Sequence, residues 1–119
     1  GQIRRQRQMC IRDSFTAMFG GGPAYFFYIL NCFNKIIKKN GFTERQSLSA
    51  LKLLLKGVLE NINKENFRFS DSIQKVASKG GTTEEGLKVL SKRNNLFMLF
   101  EKAILSAEDK SKRISKKLK

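Results

Sequence analysis

The segment VASKGGTTEEGL, residues 76–87, carries the groups of this chain that are best suited to binding a small ligand. Gly80 and Gly81 allow backbone conformations with positive φ, and the threonines and glutamates that follow are typical of a helix start. We expect Thr82 to be the N-cap residue of that helix, with Glu85 completing a capping box. The simplest interpretation is a turn that joins two helices.

The same segment is also suited to binding an anion. A helix N-terminus carries unpaired N–H groups and about half a unit of positive charge. Glycines just before it let a ligand approach the backbone, and such places hold phosphates and carboxylates. The hydroxyls of Ser78, Thr82 and Thr83 add groups that donate or accept hydrogen bonds. On these grounds the alternatives are a carboxylate, a phosphate or no ligand.

The N-terminal half predicts two helices before this segment. GGGP at residues 20–23 predicts a turn and a helix start, with Pro23 at the first helical position. Apolar residues then follow the helical spacing until Asn40 and Gly41, which favour a C-cap. Because the start of this helix is apolar on nearly all sides, it must be buried deeply or against another chain. Thr43 and Gln46 form a predicted capping box for the second helix.

The C-terminal half predicts three more helices. Ser70 or Asp71 is expected to cap a short third helix, a fourth follows Gly81, and Asn94 and Asn95 interrupt the chain. A final amphipathic helix is expected over residues 96–107. Its predicted inner residues are Leu96, Leu99, Phe100, Ala103, Ile104 and Ala107. Since no segment has the period of a β-strand, the sequence predicts an all-α fold of about five helices.

Length and charge divide the chain into three parts. Its 119 residues suggest one domain or a piece of one. We expect residues 1–14 to be a non-native or disordered basic segment, residues 15–109 a helical domain, and residues 110–119 a basic tail. RQRQMCIRDS, residues 5–14, is similar to translated sequencing adapter, and the alternative is an ordinary basic tail. Of the net charge of +14, residues 1–14 carry +3 and residues 110–119 carry +6, which disfavours a nucleic-acid-binding motif.

Composition disfavours several further classes. The chain has no histidine, which removes the commonest general base, and we expect no metal site. Cys10 and Cys32 give no disulfide framework, which fits a reducing cytoplasm. The apolar stretch at residues 24–33 is about half the length that a membrane span needs, so we expect no membrane insertion.

Two segments together resemble a known family. FTAMFGGGPAYFFY at residues 15–28 and VASKGGTTEEGLKVL at residues 76–90 closely resemble the C-terminal domain of pyrroline-5-carboxylate reductases. The resemblance implies an enzyme that reduces 1-pyrroline-5-carboxylate to L-proline with NADPH or NADH. It also implies a helical domain that interlocks with a second subunit as a homodimer or higher homo-oligomer.

The resemblance implies a role for each residue of the opening segment. Ser78 would bind the substrate carboxylate, helped by the backbone at Gly80, Gly81 and Thr82. Thr83 would hydrogen-bond the ring nitrogen and is the expected catalytic residue.

On the cofactor side, Gly21, Gly22 and Pro23 would line the nicotinamide site. The chain departs from the family's usual proline at Lys79, and from its frequent serines at Phe19 and Gly21. The substitution at Lys79 predicts a less rigid loop.

No G-x-G-x-x-G motif follows a strand pattern, so we expect a fragment without the dinucleotide-binding domain and without activity of its own. Two alternatives are a basic helical module that binds nucleic acid and a purely structural oligomerisation module. Steep loss of affinity with salt would identify the first.

Overall fold

The computed structural model describes residues 11–12, 15–78 and 80–117. The predictions for Cys10, for Lys79 and for most of residues 1–14 lie outside the described residues. Five α-helices run from α1 to α5, and the described residues contain no strand, so the predicted all-α class is confirmed. Their bounds are Gly22–Lys39 (α1), Glu44–Ile62 (α2), Phe69–Ala77 (α3), Thr82–Ser91 (α4) and Asn95–Lys117 (α5).

Two short non-α segments interrupt this order. A π-helical turn, Thr16–Gly20, precedes α1, and a 3₁₀ turn, Lys92–Asn94, separates α4 from α5. The chain forms two compact units, one of Gly1–Phe27 with Ser91–Lys119 and one of Tyr28–Leu90.

The turn between α1 and α2 follows the sequence prediction. The N–H of Gly41 donates to the carbonyl of Lys38 at 3.0 Å, and that of Phe42 donates to the carbonyl of Ile37 at 3.4 Å. With Gly41 at a φ of 97°, these bonds form a Schellman motif, in which glycine adopts the left-handed conformation at low cost. The predicted C-cap is therefore confirmed.

The start of α2 is a complete capping box. The Thr43 hydroxyl accepts from the N–H of Gln46 at 3.1 Å, and the Gln46 side chain accepts from the N–H of Thr43 at 2.9 Å. Two amides that the helix itself cannot pair are thereby satisfied. This second prediction is also confirmed.

Other helix boundaries differ from the prediction. α1 begins at Gly22, so Pro23 is its second residue. α3 begins at Phe69 after an extended Arg68 with no side-chain cap, so the prediction of Ser70 or Asp71 as its cap is wrong. Asp71 instead lies in the first turn, where a carboxylate interacts favourably with the helix dipole.

The predicted break near residues 94 and 95 is confirmed. Arg93 and Asn94 have φ values of 54° and 55°, a left-handed conformation that asparagine tolerates better than most residues. α5 then continues ten residues beyond the predicted end at residue 107, through Lys117. Lys116 and Lys117 lie in its last turn, where positive charge is favourable.

The apolar core of the described residues is very small. The buried apolar residues are Ala17 in the first unit and Leu51 in the second. On α5, which packs on the turn Thr16–Gly20, Phe100, Ile104 and Ala107 are half-buried as predicted. The inward prediction is wrong for three residues that are exposed, namely Leu96, Leu99 and Ala103. These residues stay exposed because the short turn Thr16–Gly20 covers only a narrow strip of α5.

Ser47 on α2 is completely buried, and its hydroxyl has no hydrogen-bond partner among the described residues. An unpaired buried hydroxyl costs about 1–3 kcal/mol. We expect Ser47→Ala to raise the free energy of unfolding by about 1 kcal/mol more than Ser49→Ala, an exposed control on the same helix. Urea unfolding at fixed protein concentration measures both, and equal effects would contradict the unpaired hydroxyl.

An ion pair links α1 to α2. The Lys38 ammonium lies 2.7 Å from the Glu44 carboxylate, and the Asn34 amide donates to the same carboxylate at 3.3 Å. The hydrogen bond from Lys38 and then its charge lower the pKa of Glu44 from the ordinary value of 4.5, against an opposing effect of desolvation. A lowered folded-state pKa means that the ionised form is favoured by folding.

The contribution of Glu44 to stability is therefore present above pH 4.5 and is lost as pH falls through the lowered pKa. We expect Lys38→Met to flatten this part of the dependence of unfolding free energy on pH. Urea unfolding between pH 7 and acid conditions tests it, with Lys39→Met as the control. A Lys38→Met curve parallel to that of the wild type would rule out the pair as the cause.

Candidate functional site

The predicted ligand-binding segment forms the turn between α3 and α4. Ser78 follows the last residue of α3, and Gly80 and Gly81 have φ values of 132° and 79°. The expected positive φ at both glycines is confirmed. A Cβ atom added to either glycine would meet nothing within 4 Å, so the backbone is open to a ligand on that side.

The start of α4 differs from the predicted capping box. The N–H of Glu85 donates to the carbonyl of Gly81 at 3.1 Å, which makes Gly81 the N-cap and Thr82 the first helical residue. The Glu85 carboxylate lies 3.2 Å from the Lys88 ammonium. The prediction of Thr82 as N-cap is wrong because Gly81, unlike a threonine, adopts the left-handed conformation that begins this helix at little cost.

Three consecutive N–H groups of α4 precede its first helical hydrogen bond, which the N–H of Glu85 donates. The amides of Thr82, Thr83 and Glu84 have no acceptor among the described residues. All three residues are exposed, as are Ser78, Gly80 and Gly81. The described residues therefore provide adjacent unpaired donors at a helix N-terminus, which attracts negative charge.

Ser78 is exposed but already makes hydrogen bonds within its own turn. Its hydroxyl donates to the carbonyl of Lys75 at 3.2 Å, and its N–H donates to the carbonyl of Gln74 at 2.9 Å. The hydroxyl must rotate away from Lys75 before it donates to a ligand, whereas its lone pairs accept without rotation.

Acidic residues near these amides affect an incoming anion. Glu84 and Glu85 lie in the first turn of α4, where they interact favourably with the helix dipole. An anionic ligand would meet their repulsion at the same place. Lys88 pairs with Glu85 and offsets part of this charge, although the pair is largely exposed and so contributes little to stability.

An apolar groove of about 730 Å³ lies on the Tyr28–Leu90 unit, and the sequence analysis did not predict it. Residues from α2, α3 and α4 line it, including Leu54, Val58, Ile73, Val76 and Thr83. Leu54 is 62% exposed and Val76 is 59% exposed, so these side chains have no cover among the described residues. The sequence signal for the groove is the number of leucines on α2. There are more of them than a single apolar stripe along one face of the helix requires.

The predicted cofactor-side residues lie in the other unit, at the junction of the π-helical turn and α1. Gly21 joins the two elements in a right-handed conformation, and Gly22 and Pro23 are the first two residues of α1. Pro23 is exposed, and a Cβ atom on Gly22 would meet nothing within 4 Å. The backbone at Gly22 is therefore open on the side where a Cβ atom would lie.

The described part of the chain contains no group of three or more histidine, cysteine, aspartate or glutamate side chains arranged to hold a metal ion. Cys32 is exposed and free. Within the same residues, no helix combines the length and the apolar character that crossing a bilayer requires.

Comparison with known proteins identifies the family. The sequence profile described as pyrroline-5-carboxylate reductase dimerisation matches residues 11–114, which is most of the chain. The chain belongs to this family. The resemblance of the segments at residues 15–28 and 76–90 is thereby confirmed. The match begins at residue 11, four residues before the expected start of the helical domain.

Curated relatives agree with this membership of the dimerisation family. A pyrroline-5-carboxylate reductase of Staphylococcus aureus (strain COL) is 30% identical over 100 residues, which are 84% of this chain and 36% of the relative. One from Staphylococcus epidermidis is 28% identical over 102 residues, which are 86% of this chain and 37% of the relative. The chain thus spans a little over a third of the length of these relatives. No solved structure matches it significantly.

Proposed function

We propose that this chain supplies the substrate-binding segment and the dimer interface of a pyrroline-5-carboxylate reductase. The parent enzyme would act in the cytoplasm and reduce 1-pyrroline-5-carboxylate to L-proline with NADPH or NADH. The observation that carries the proposal is the start of α4, where two open glycines precede three N–H groups that have no acceptor among the described residues. Membership of the family supports a substrate with a carboxylate that would match this site.

The chain's residues would act by binding and orientation. The open amides of Thr82 and its neighbours would hold the substrate carboxylate, with Ser78 as a further partner after its hydroxyl rotates. Thr83 would hydrogen-bond the ring nitrogen and fix which face of the ring is presented. Holding reactants in attack geometry lowers a barrier by up to about 7–11 kcal/mol, and this scheme requires no ionisable acid–base pair on the chain.

The nicotinamide cofactor, when bound, supplies a hydride to the carbon of the C=N bond. The described residues fit only the nicotinamide end of this cofactor. Gly22 and Pro23 would provide an open backbone for a flat ring, whereas none of the described residues before glycines 20–22 forms a strand that could build a pyrophosphate site. We therefore assign Gly21, Gly22 and Pro23 to the nicotinamide end alone.

Self-association is the second part of the proposal. The apolar groove and the large exposed residues of α1, such as Phe26, Phe27 and Tyr28, support a homodimer or higher homo-oligomer. This observation also favours the alternative of a purely structural oligomerisation module for the isolated chain. The distribution of charge gives nucleic acid no comparable site.

A chimeric enzyme tests the proposal. Residues 15–117 would replace the matched third of the Staphylococcus aureus relative, and reduction of 1-pyrroline-5-carboxylate would be followed by oxidation of NADPH. We expect an active chimera and no activity from the 119-residue chain alone. A folded but inactive chimera that still oligomerises would favour the purely structural module.

A further inference from the structure

The glycine at position 21 is explained by a side chain and not by its backbone. Gly21 has φ −90° and ψ −11°, a conformation that any L-residue adopts. A Cβ atom there would lie 2.8 Å from the hydroxyl oxygen of Tyr25 and 2.9 Å from its Cζ atom. Neither Gly20 nor Gly22 has such a conflict. A side chain at position 21 would therefore require the Tyr25 ring to shift.

Tyr25 differs from the aromatic residues that follow it. Its N–H donates to the carbonyl of Gly21 at 3.1 Å, and its side chain turns back over the same residue, as helical side chains do. Tyr25 is half-buried, whereas Phe26, Phe27 and Tyr28 are 66%, 71% and 72% exposed. Tyr25 thus contacts Gly21 twice, through a backbone hydrogen bond and through its ring.

We propose that Tyr25 is a positioning residue for the nicotinamide-side turn at residues 21–23. Its ring packs on Gly21 and fixes the backbone that Gly22 and Pro23 present to a flat ligand. This inference rests on the proposed function, because that function assigns a ligand to the turn. The ring carries the effect, so a phenylalanine at position 25 retains it.

The packing is tested in the 119-residue chain by fluorine NMR. The chain has two tyrosines, so 3-fluorotyrosine labelling gives two resonances, and Tyr28→Phe assigns them. We expect Gly21→Ala to shift the Tyr25 resonance and Gly22→Ala, the matched control, to leave it in place. An unmoved Tyr25 resonance in Gly21→Ala would overturn the packing and the inference with it.

The positioning role is tested by kinetics in the chimera. We expect Tyr25→Ala and Gly21→Ala each to raise the KM for NADPH about tenfold with kcat little changed. Tyr25→Phe, which keeps the ring, should have a KM for NADPH close to that of the unmodified chimera. The double variant should be no worse than either single one, because removal of the ring relieves the clash. Wild-type KM in Tyr25→Ala would overturn the inference and leave the proposed function standing. An inactive parent chimera would overturn the proposed function and the role of Tyr25 together, even where the NMR contact is found.

Discussion

Replacing Leu54 by glutamate is expected to convert the proposed homo-oligomer into a monomer. Leu54 lines the groove on the Tyr28–Leu90 unit and is 62% exposed within one copy. Burying a leucine contributes about 1.5–3 kcal/mol, and a symmetric dimer buries two. A glutamate at this position would also bring an unpaired charge into the interface. The dissociation constant should therefore rise on the order of 100-fold or more.

Sedimentation velocity across a concentration series measures this change, and circular dichroism checks that helix content is retained. Leu59→Glu is the matched control, because Leu59 lies on the same helix and is 59% exposed but does not line the groove. Equal effects of the two variants would show that the groove has no special part in association. A wild-type chain that stays monomeric at micromolar concentration would contradict the proposed homo-oligomer itself.

In the active chimera, Thr83→Ala is expected to lower kcat/KM for 1-pyrroline-5-carboxylate by about 10–100-fold. The estimate corresponds to the loss of one hydrogen bond of about 1.5–3 kcal/mol to a group that develops charge. Because Thr83 is assigned to the substrate ring and not to the cofactor, the KM for NADPH should change much less. Thr83 is exposed at the start of α4, so its replacement removes no buried contact. Alanine keeps the backbone N–H at position 83, and the variant therefore tests the side-chain hydroxyl alone.

Thr82→Ala provides the comparison for Thr83→Ala. Thr82 is assigned to the carboxylate through its backbone N–H, which alanine keeps, so its loss of kcat/KM should be several-fold smaller. Both residues lie in the first turn of the same helix, which balances any effect on helix stability. Equal losses for the two variants, or a parallel loss of NADPH affinity in Thr83→Ala, would contradict the role assigned to Thr83.

Local features of the fold followed directly from short stretches of sequence. The capping box of Thr43 with Gln46 and the Schellman motif at Gly41 depend on residues within six positions of one another. Their hydrogen bonds form whatever packs around them, which is why the pattern of residue types predicted them. The break at Arg93 and Asn94 is predictable for the same reason.

Competition between neighbouring residues limited the prediction at the candidate site. Both Gly81 and Thr82 are suited to an N-cap, and sequence alone favoured the threonine hydroxyl. In the structure Gly81 has a left-handed φ of 79°, and its carbonyl is the first helical acceptor of α4. With this N-cap, the amides of Thr82 and Thr83 have no acceptor among the residues that the structure describes.

The sequence by itself determined the all-α class, the helix ends at Gly41 and Thr43, and the family through two segments at residues 15–28 and 76–90. Only the tertiary structure decided which apolar residues stay exposed, that α2, α3 and α4 line a groove, and that the Tyr25 ring lies against position 21. The physical reason is the range of the interactions. Caps and helical periods act over a few residues, whereas grooves and ring contacts depend on the directions in which packed helices point their side chains.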